Sequence, residues 1–196
     1  MNVFNEAEFN NICKKLGADR VIKDLTLRYA SPGYFNKIRN VVQRDRRGEV
    51  VFCVIRPDGK IITTTCTDYP ENIFRIPTGG IGHEEDILDA IFREVAEELG
   101  LKVKIRSFAG ALRIRFEYND EFVMFYSYIF ILDEIGGRLL EDASDDEISS
   151  VNEVDLEGLE NVVNALNSIK GKWQDWGKFR HITSGAVHRY LKDGRI

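Results

Sequence analysis

Three glutamates, Glu94, Glu97 and Glu98, stand at spacings i, i+3 and i+4 in the run Arg93-Glu94-Val95-Ala96-Glu97-Glu98-Leu99-Gly100-Leu101. On a helix they fall within an arc of roughly 100°, where side chains are neighbours. Like charges so placed repel one another, and near a helix C-terminus they also oppose the helix dipole. A divalent cation reverses the sign of that argument, because hard Mg²⁺ or Mn²⁺ prefers carboxylate and phosphate oxygen. Such a cluster suits the binding of a divalent cation, which can neutralise nearby charge and acidify a bound water. A carboxylate in or near the cluster would serve as general base.

These side chains need a helix and something for it to rest on. From about Asp86 to Leu99 the chain reads as one amphipathic helix, with Leu88, Ile91, Phe92, Val95 and Leu99 on a stripe bound for a sheet. Gly100 is its stop. Before it, Gly79-Gly80-Ile81-Gly82-His83-Glu84-Glu85 reads as a glycine-rich loop suited to unusual backbone angles or to close approach of metal and phosphate.

The fixed positions of Gly79 to Leu101 spell G-x5-E-x7-R-E-U-x-E-E-x-G-U, with U a bulky aliphatic residue. This resembles the Nudix box, the motif of hydrolases acting on nucleoside diphosphates linked to another group, and every defined position is matched. The resemblance implies an α/β (α+β) fold, the Nudix α/β/α sandwich around a mixed β-sheet. It implies Glu94, Glu97 and Glu98 as metal ligands, joined by a main-chain carbonyl at Gly79, with Gly80 beside it at the substrate. It gives Arg93 a structural part, pairing with carboxylates to hold the glutamates, and Glu85 is the partner to expect. For the general base, Glu97 and Glu98 compete with a later loop carrying Glu141, Asp145, Asp146 and Glu147. We favour Glu98 as a ligand that also assists as base and carry Glu147 as the loop candidate. His83-Glu84 depart from the Pro-Gly that usually precedes the box glutamate, and His83 reads as an exposed loop histidine.

Substrate markers are thin. Glu117 stands near where ADP-ribose hydrolases of the family carry a proline, and Tyr118 stands where dinucleoside polyphosphate hydrolases carry a tyrosine. Phe74, Phe116, Tyr118 and Tyr126 are candidates to stack on a base, and Trp173 and Trp176 are candidates for a lid or a helix anchor. The expected activity is metal-dependent hydrolysis of a phosphoanhydride bond in a nucleotide, nucleotide sugar or dinucleotide. Two alternatives are an isoprenoid diphosphate isomerase on the same fold, with Cys66 in Thr-Cys-Thr-Asp-Tyr-Pro as its cysteine, and a nucleotide-binding module without turnover. All three histidines, His83, His181 and His188, lie inside or after the box, which disfavours the first. Retained clustered glutamates disfavour the second.

A chain of 196 residues is long enough for one domain with added material. A net charge of −5 argues against a nucleic-acid polymer as partner. The most apolar stretch, Phe122 to Leu132, is too short for a membrane span. Met1 to Glu6 lack the features of a secretion signal. Cys13, Cys53 and Cys66 are scattered without metal spacing, so reduced cytoplasmic thiols are expected.

Asn5 to Gly17 reads as a capped helix, and Asp19 to Ala30 stays open between helix and strand. Residues 37–47 are basic and read as a solvated face or as a phosphate-facing or partner-facing patch. Glu49 to Ile55 and Lys60 to Thr65 are strands across the Pro57-Asp58-Gly59 turn. Asn72 to Pro77 is an extended lead-in to the box. Val103 to Tyr118 and Phe122 to Leu132 form a hairpin about Asn119-Asp120, and 141–147 is a solvated acidic loop. Helices Leu156 to Ile169, capped by Asp155, and Gly177 to Leu191 follow. We divide the chain into an N-terminal helical extension, 1–40, and a Nudix domain, 41–196. The extension and the basic stretch are candidate homodimer surfaces.

Overall fold

β2 (Arg46–Ile55) is the strand the sheet is laid around, because both of its faces are apolar. Val50, Phe52 and Val54 enter one core, and Val51, Cys53 and Ile55 enter the other. A strand so buried needs layers on both sides. The computed structural model describes residues 4–145 and 147–196. The sheet runs β1-β5-β6-β2-β3-β7, with β4 added against β2. Its members are β1 (Ile22–Arg28), β3 (Ile61–Cys66), β4 (Thr78–Gly82), β5 (Leu101–Tyr118), β6 (Glu121–Gly137) and β7 (Ile148–Val154). β1 with β5 and β2 with β6 pair in parallel, and the other pairs are antiparallel, so the sheet is mixed.

On one face lie α1 (Glu6–Leu16) and the box helix α3 (Ile87–Glu94). On the other lie α2 (Pro32–Arg44), α4 (Leu156–Ser168) and α5 (Gln174–Asp193). The α/β/α sandwich is therefore present. α5 is tied to the sheet by a buried charge pair, Arg180 Nη1 to Glu49 Oε2 at 2.8 Å, with Ser127 Oγ donating to Glu49 Oε1 at 2.8 Å. Among the described residues no helix is long and apolar enough to cross a membrane.

Several expectations hold. α1 is capped by Asn5, which accepts from the Glu8 N–H, and ends at Gly17 in the left-handed region. Asp155 caps α4, and the hairpin turns where expected. Others are corrected. The N-terminal extension is not wholly helical: β1 joins the central sheet beside β5, and α2 covers one of its faces. The basic stretch hides α2, whose buried side is Phe35, Ile38 and Val42 while Lys37, Asn40 and Arg44 face out. β7, an edge strand of mostly polar residues paired with β3, was not anticipated.

Candidate active site

The glycines that precede α3 are a strand, not a loop. Thr78–Gly82 pairs with β2, Gly79 opposite Val50 and Gly80 opposite Glu49. None of Gly79, Gly80 and Gly82 has positive φ, so the reason for glycine is close approach. A Cβ on Gly79 would overlap the Glu94 side chain, and one on Gly80 would stand 2.6 Å from the Arg46 Cζ.

Glu94 reaches Gly79 because of where α3 turns its buried side. Asp86 caps the helix by accepting from the Leu88 N–H at 2.7 Å. The side facing the sheet is then Ile87, Ala90, Ile91 and Val95, and Glu94 shares it. Phe92, expected in that stripe, is 44% exposed, since the stripe centres on Ile87 and Ala90. After Glu94 the regular helix gives way to one wide π-turn, Val95–Leu99, a feature often found at functional sites. That turn leaves Glu98 buried and Glu97 half-exposed.

Arg93 gathers the group. Its Nε and Nη2 grip the two oxygens of Glu85 at 2.7 and 2.9 Å. Nη1 donates to Glu94 Oε1 at 3.0 Å and Glu97 Oε2 at 2.8 Å, and Nη2 also reaches the Gly80 carbonyl at 2.9 Å. The Arg93–Glu85 contact holds the Glu85 carboxyl below its ordinary pKa. Gly82 N–H also donates to Glu85, at 2.9 Å. Burial moves Glu94 the other way, upward, against the pull of Arg93.

Glu98 is the most perturbed carboxyl here. Burial pushes it up to about 8, Arg75 opposes this, and Glu94, Glu147 and Asp145 add to it. Glu98 Oε2 is buried with no hydrogen-bond partner among the described residues. Arg75, itself buried, is held by Tyr69 OH at 3.2 and 3.3 Å and by Thr78 Oγ1 at 3.3 Å. Tyr69 rests on Trp176 with ring centroids 4.5 Å apart, so both tryptophans serve as supports for this wall.

The described acidic side chains of the stretch, Glu141, Asp142, Asp145 and Glu147, are exposed, as expected, but its backbone docks on the box. Ser144 and Asp145 N–H both donate to the Glu97 carbonyl at 3.0 Å, and Leu140 N–H donates to that of Leu99 at 2.9 Å. This brings Asp145 and Glu147 within electrostatic reach of Glu98; Asp146 lies outside the described residues. Tyr118 is not brought in: it packs on Phe35, with β6 and β2 between its strand and β4. His83 is exposed, as expected. Arg46 lies in the basic stretch whose functional reading is a phosphate-facing or partner-facing patch, whereas the local sequence carried no signal for Arg75, whose place is set by its long-range pairing with Thr64.

With Glu98 raised, a stability effect follows. Between its ordinary 4.5 and about 8, the folded metal-free protein holds a proton that the unfolded chain has released. Its stability in chelator should therefore fall as pH rises through that window, by at most about 1.4 kcal/mol per pH unit from this group. Urea titrations at several pH values measure the slope, and Glu98→Gln should flatten it. An unchanged slope in that variant would remove Glu98 as the source.

A NUDIX domain model matches residues 44–176. The chain belongs to the Nudix family. An ADP-ribose pyrophosphatase from Methanocaldococcus jannaschii is 32% identical over 102 residues, which are 50% of this chain and 59% of that protein. The match thus spans less than two thirds of that relative. Among solved structures, a NUDIX hydrolase from Nitrosomonas europaea aligns with a TM-score of 0.48 at 15% identity, over 67% of this chain and 88% of that one. An ADP-ribose pyrophosphatase from Streptococcus suis aligns with a TM-score of 0.44 at 14% identity, over 71% and 90%.

Nudix hydrolases generally use divalent metal ions. Among the described residues no group of three or more His, Cys, Asp or Glu side chains is arranged to hold one. The donors nonetheless fit in kind: Glu94 lies on Gly79, and Glu98 Oε2 is a buried oxygen with no partner among the described residues. Mg²⁺ is commonly held by one or two carboxylates, with water and substrate phosphate completing its shell, so an open donor set suits it.

Proposed function

We propose that the protein hydrolyses a phosphoanhydride bond in a nucleoside diphosphate linked to another group, with Mg²⁺ or Mn²⁺. The observation that carries this is the Arg93 node, which gathers Glu85, Glu94 and Glu97 at the glycine strand near Glu98, whose Oε2 has no hydrogen-bond partner among the described residues. Glu94, Glu97, Glu98 and the Gly79 carbonyl would hold the cation, which neutralises diphosphate charge and acidifies water.

The chain's own residues do the rest. Arg46, lying on Gly80, and Arg75, beside Glu98, supply positive charge to orient the diphosphate. Gly79 and Gly80 leave the room in which Glu94 and Arg46 lie against the backbone. The attacking water forms a new bond to phosphorus and gives its proton to Glu98 or, on the docked loop, to Glu147, as the bond from phosphorus to the bridging oxygen breaks and the second phosphate leaves with that oxygen.

The Methanocaldococcus relative makes ADP-ribose the first compound to try, although Glu117 stands where the sequence marker for that substrate would be a proline. The isomerase reading loses ground, because burial pushes the Cys66 thiol up, away from the thiolate a catalytic cysteine needs. The three cysteines are free and two are buried, which fits the expected reducing cytoplasm. A panel of ADP-ribose, nucleotide sugars, dinucleoside polyphosphates and an isoprenoid diphosphate, each with Mg²⁺ and with Mn²⁺, tests the reading. Release of a nucleoside monophosphate from at least one compound supports it, and isoprenoid conversion alone would replace it.

A further inference from the structure

Glu8 lies on α1, ahead of the residues that the family model covers, yet its carboxylate reaches the start of the box helix. Glu8 Oε1 accepts from the Ile87 N–H at 3.1 Å and from Arg47 Nη2 at 2.8 Å. The same Arg47 nitrogen donates to the main-chain carbonyl of Glu85 at 2.6 Å. The Glu8 and Arg47 side chains are only 12% and 17% exposed, so salt and water screen the pair little.

Two features separate this contact from simple adhesion. The first is its place. Residue 85 is held by its carbonyl and residue 87 by its N–H, so the backbone is clamped on both sides of the helix cap Asp86. Glu85 is the residue whose carboxylate grips Arg93 through two hydrogen bonds, and Arg93 in turn holds Glu94 and Glu97. A carboxylate at the first free amides of α3 is also favoured by the helix dipole. The second is its expense. α1 already docks through Phe9, Ile12 and Cys13 in the core, and Phe4 packs on Phe9 and Tyr126. A shielded carboxylate whose Oε2 has no hydrogen-bond partner among the described residues is a costly way to add adhesion to an apolar helix.

We propose that Glu8 is a positioning residue for the box: through Arg47 and the Ile87 amide it fixes the segment carrying Glu85, and so the Arg93–Glu94–Glu97 geometry. The inference rests on reading the box as the hydrolytic site. It makes the N-terminal extension part of the catalytic support, supplied from outside the residues matched to the family.

The test uses the full chain with Glu8→Ala, Glu8→Gln and the control Glu6→Gln, a residue of the same helix whose exposed side chain pairs with Arg20 at 3.4 Å. Turnover and KM are measured with Mg²⁺ well below the melting temperature, and amide hydrogen exchange is followed at Gly82 and Ile87. Glu8→Ala should lower kcat about tenfold with KM changed less than about twofold, as for other residues that orient ligands. Exchange at Ile87 and Gly82 should quicken with it. Glu8→Gln, whose side-chain oxygen still accepts from Ile87, should recover part of the rate, and Glu6→Gln should match the wild type. A lower melting temperature with unchanged kcat per folded molecule would overturn the proposal, leaving Glu8 an anchor for α1. If the wild type hydrolyses no compound of the panel, the reading of the site fails separately. Exchange then decides the positioning, and unchanged rates at Gly82 and Ile87 would overturn it.

Discussion

Glu98→Gln is expected to lower kcat by about 10²- to 10⁴-fold, the range for removing a positioned proton acceptor, while the protein stays folded. The two halves of that expectation share one cause. Glu98 is 8% exposed, and burial holds its carboxyl near 8, so in the metal-free protein at neutral pH it is largely protonated. Glutamine copies that neutral form in shape, and the fold should tolerate it. It cannot take a proton, and it is a poorer donor to a cation. Steady-state kinetics with Mg²⁺ beside a thermal melt check both halves. Full turnover in the variant would make Glu98 a bystander and move the base to the docked loop, where Glu147→Gln is the next variant to measure.

Gly79→Ala is expected to cost about 100-fold in kcat, the penalty of displacing a reacting group by about an ångström. The added methyl would occupy the space of Glu94 Cγ and Cδ, and Glu94 cannot retreat, since Arg93 holds it from one side and the core from the other. The methyl should also destabilise the fold by about 1–3 kcal/mol, as overpacking does. Gly82→Ala is the comparison. Its Cβ would meet Glu85 Cβ at an ordinary 3.5 Å, so a much smaller loss is expected there. Equal losses at the two positions would mean that strand flexibility, not the seat of Glu94, is what the glycines supply.

The glutamates were legible because their signal is local: spacings i, i+3 and i+4 place them together on any helix. The apolar stripe was legible for the same reason, and it failed only at Phe92, where one residue of phase decides between core and solvent. What could not be read was anything set by distant pairing. Gly79 to Gly82 looked like a loop because glycines carry no strand signal; pairing with Arg46 to Val50 of β2, far back in the chain, makes them a strand. The contact of Arg93 with Glu85 awaited the start of α3, which Asp86 sets. The acidic loop had the composition of a solvated run, and its side chains are solvated; only its backbone bonds to Glu97 and Leu99 show that it belongs to the site. In α2, the charges of Lys37, Arg39 and Arg44 masked an apolar side at Phe35, Ile38 and Val42. Glu8 illustrates the limit most plainly. It stands in the first turn of a helix read as capped; its N–H donates to the Asn5 cap, while its carboxylate serves another helix.

The measurement that bears most directly on the central claim is product analysis by mass spectrometry after hydrolysis in ¹⁸O-labelled water with Mg²⁺, beginning with ADP-ribose and proceeding through the panel. The account predicts that at least one nucleoside diphosphate compound yields a nucleoside monophosphate and a second phosphorylated product, with ¹⁸O in one of the two phosphates and the rate abolished by chelator. Turnover without ¹⁸O in phosphate, or with equal rates in chelator and in Glu98→Gln, would contradict it.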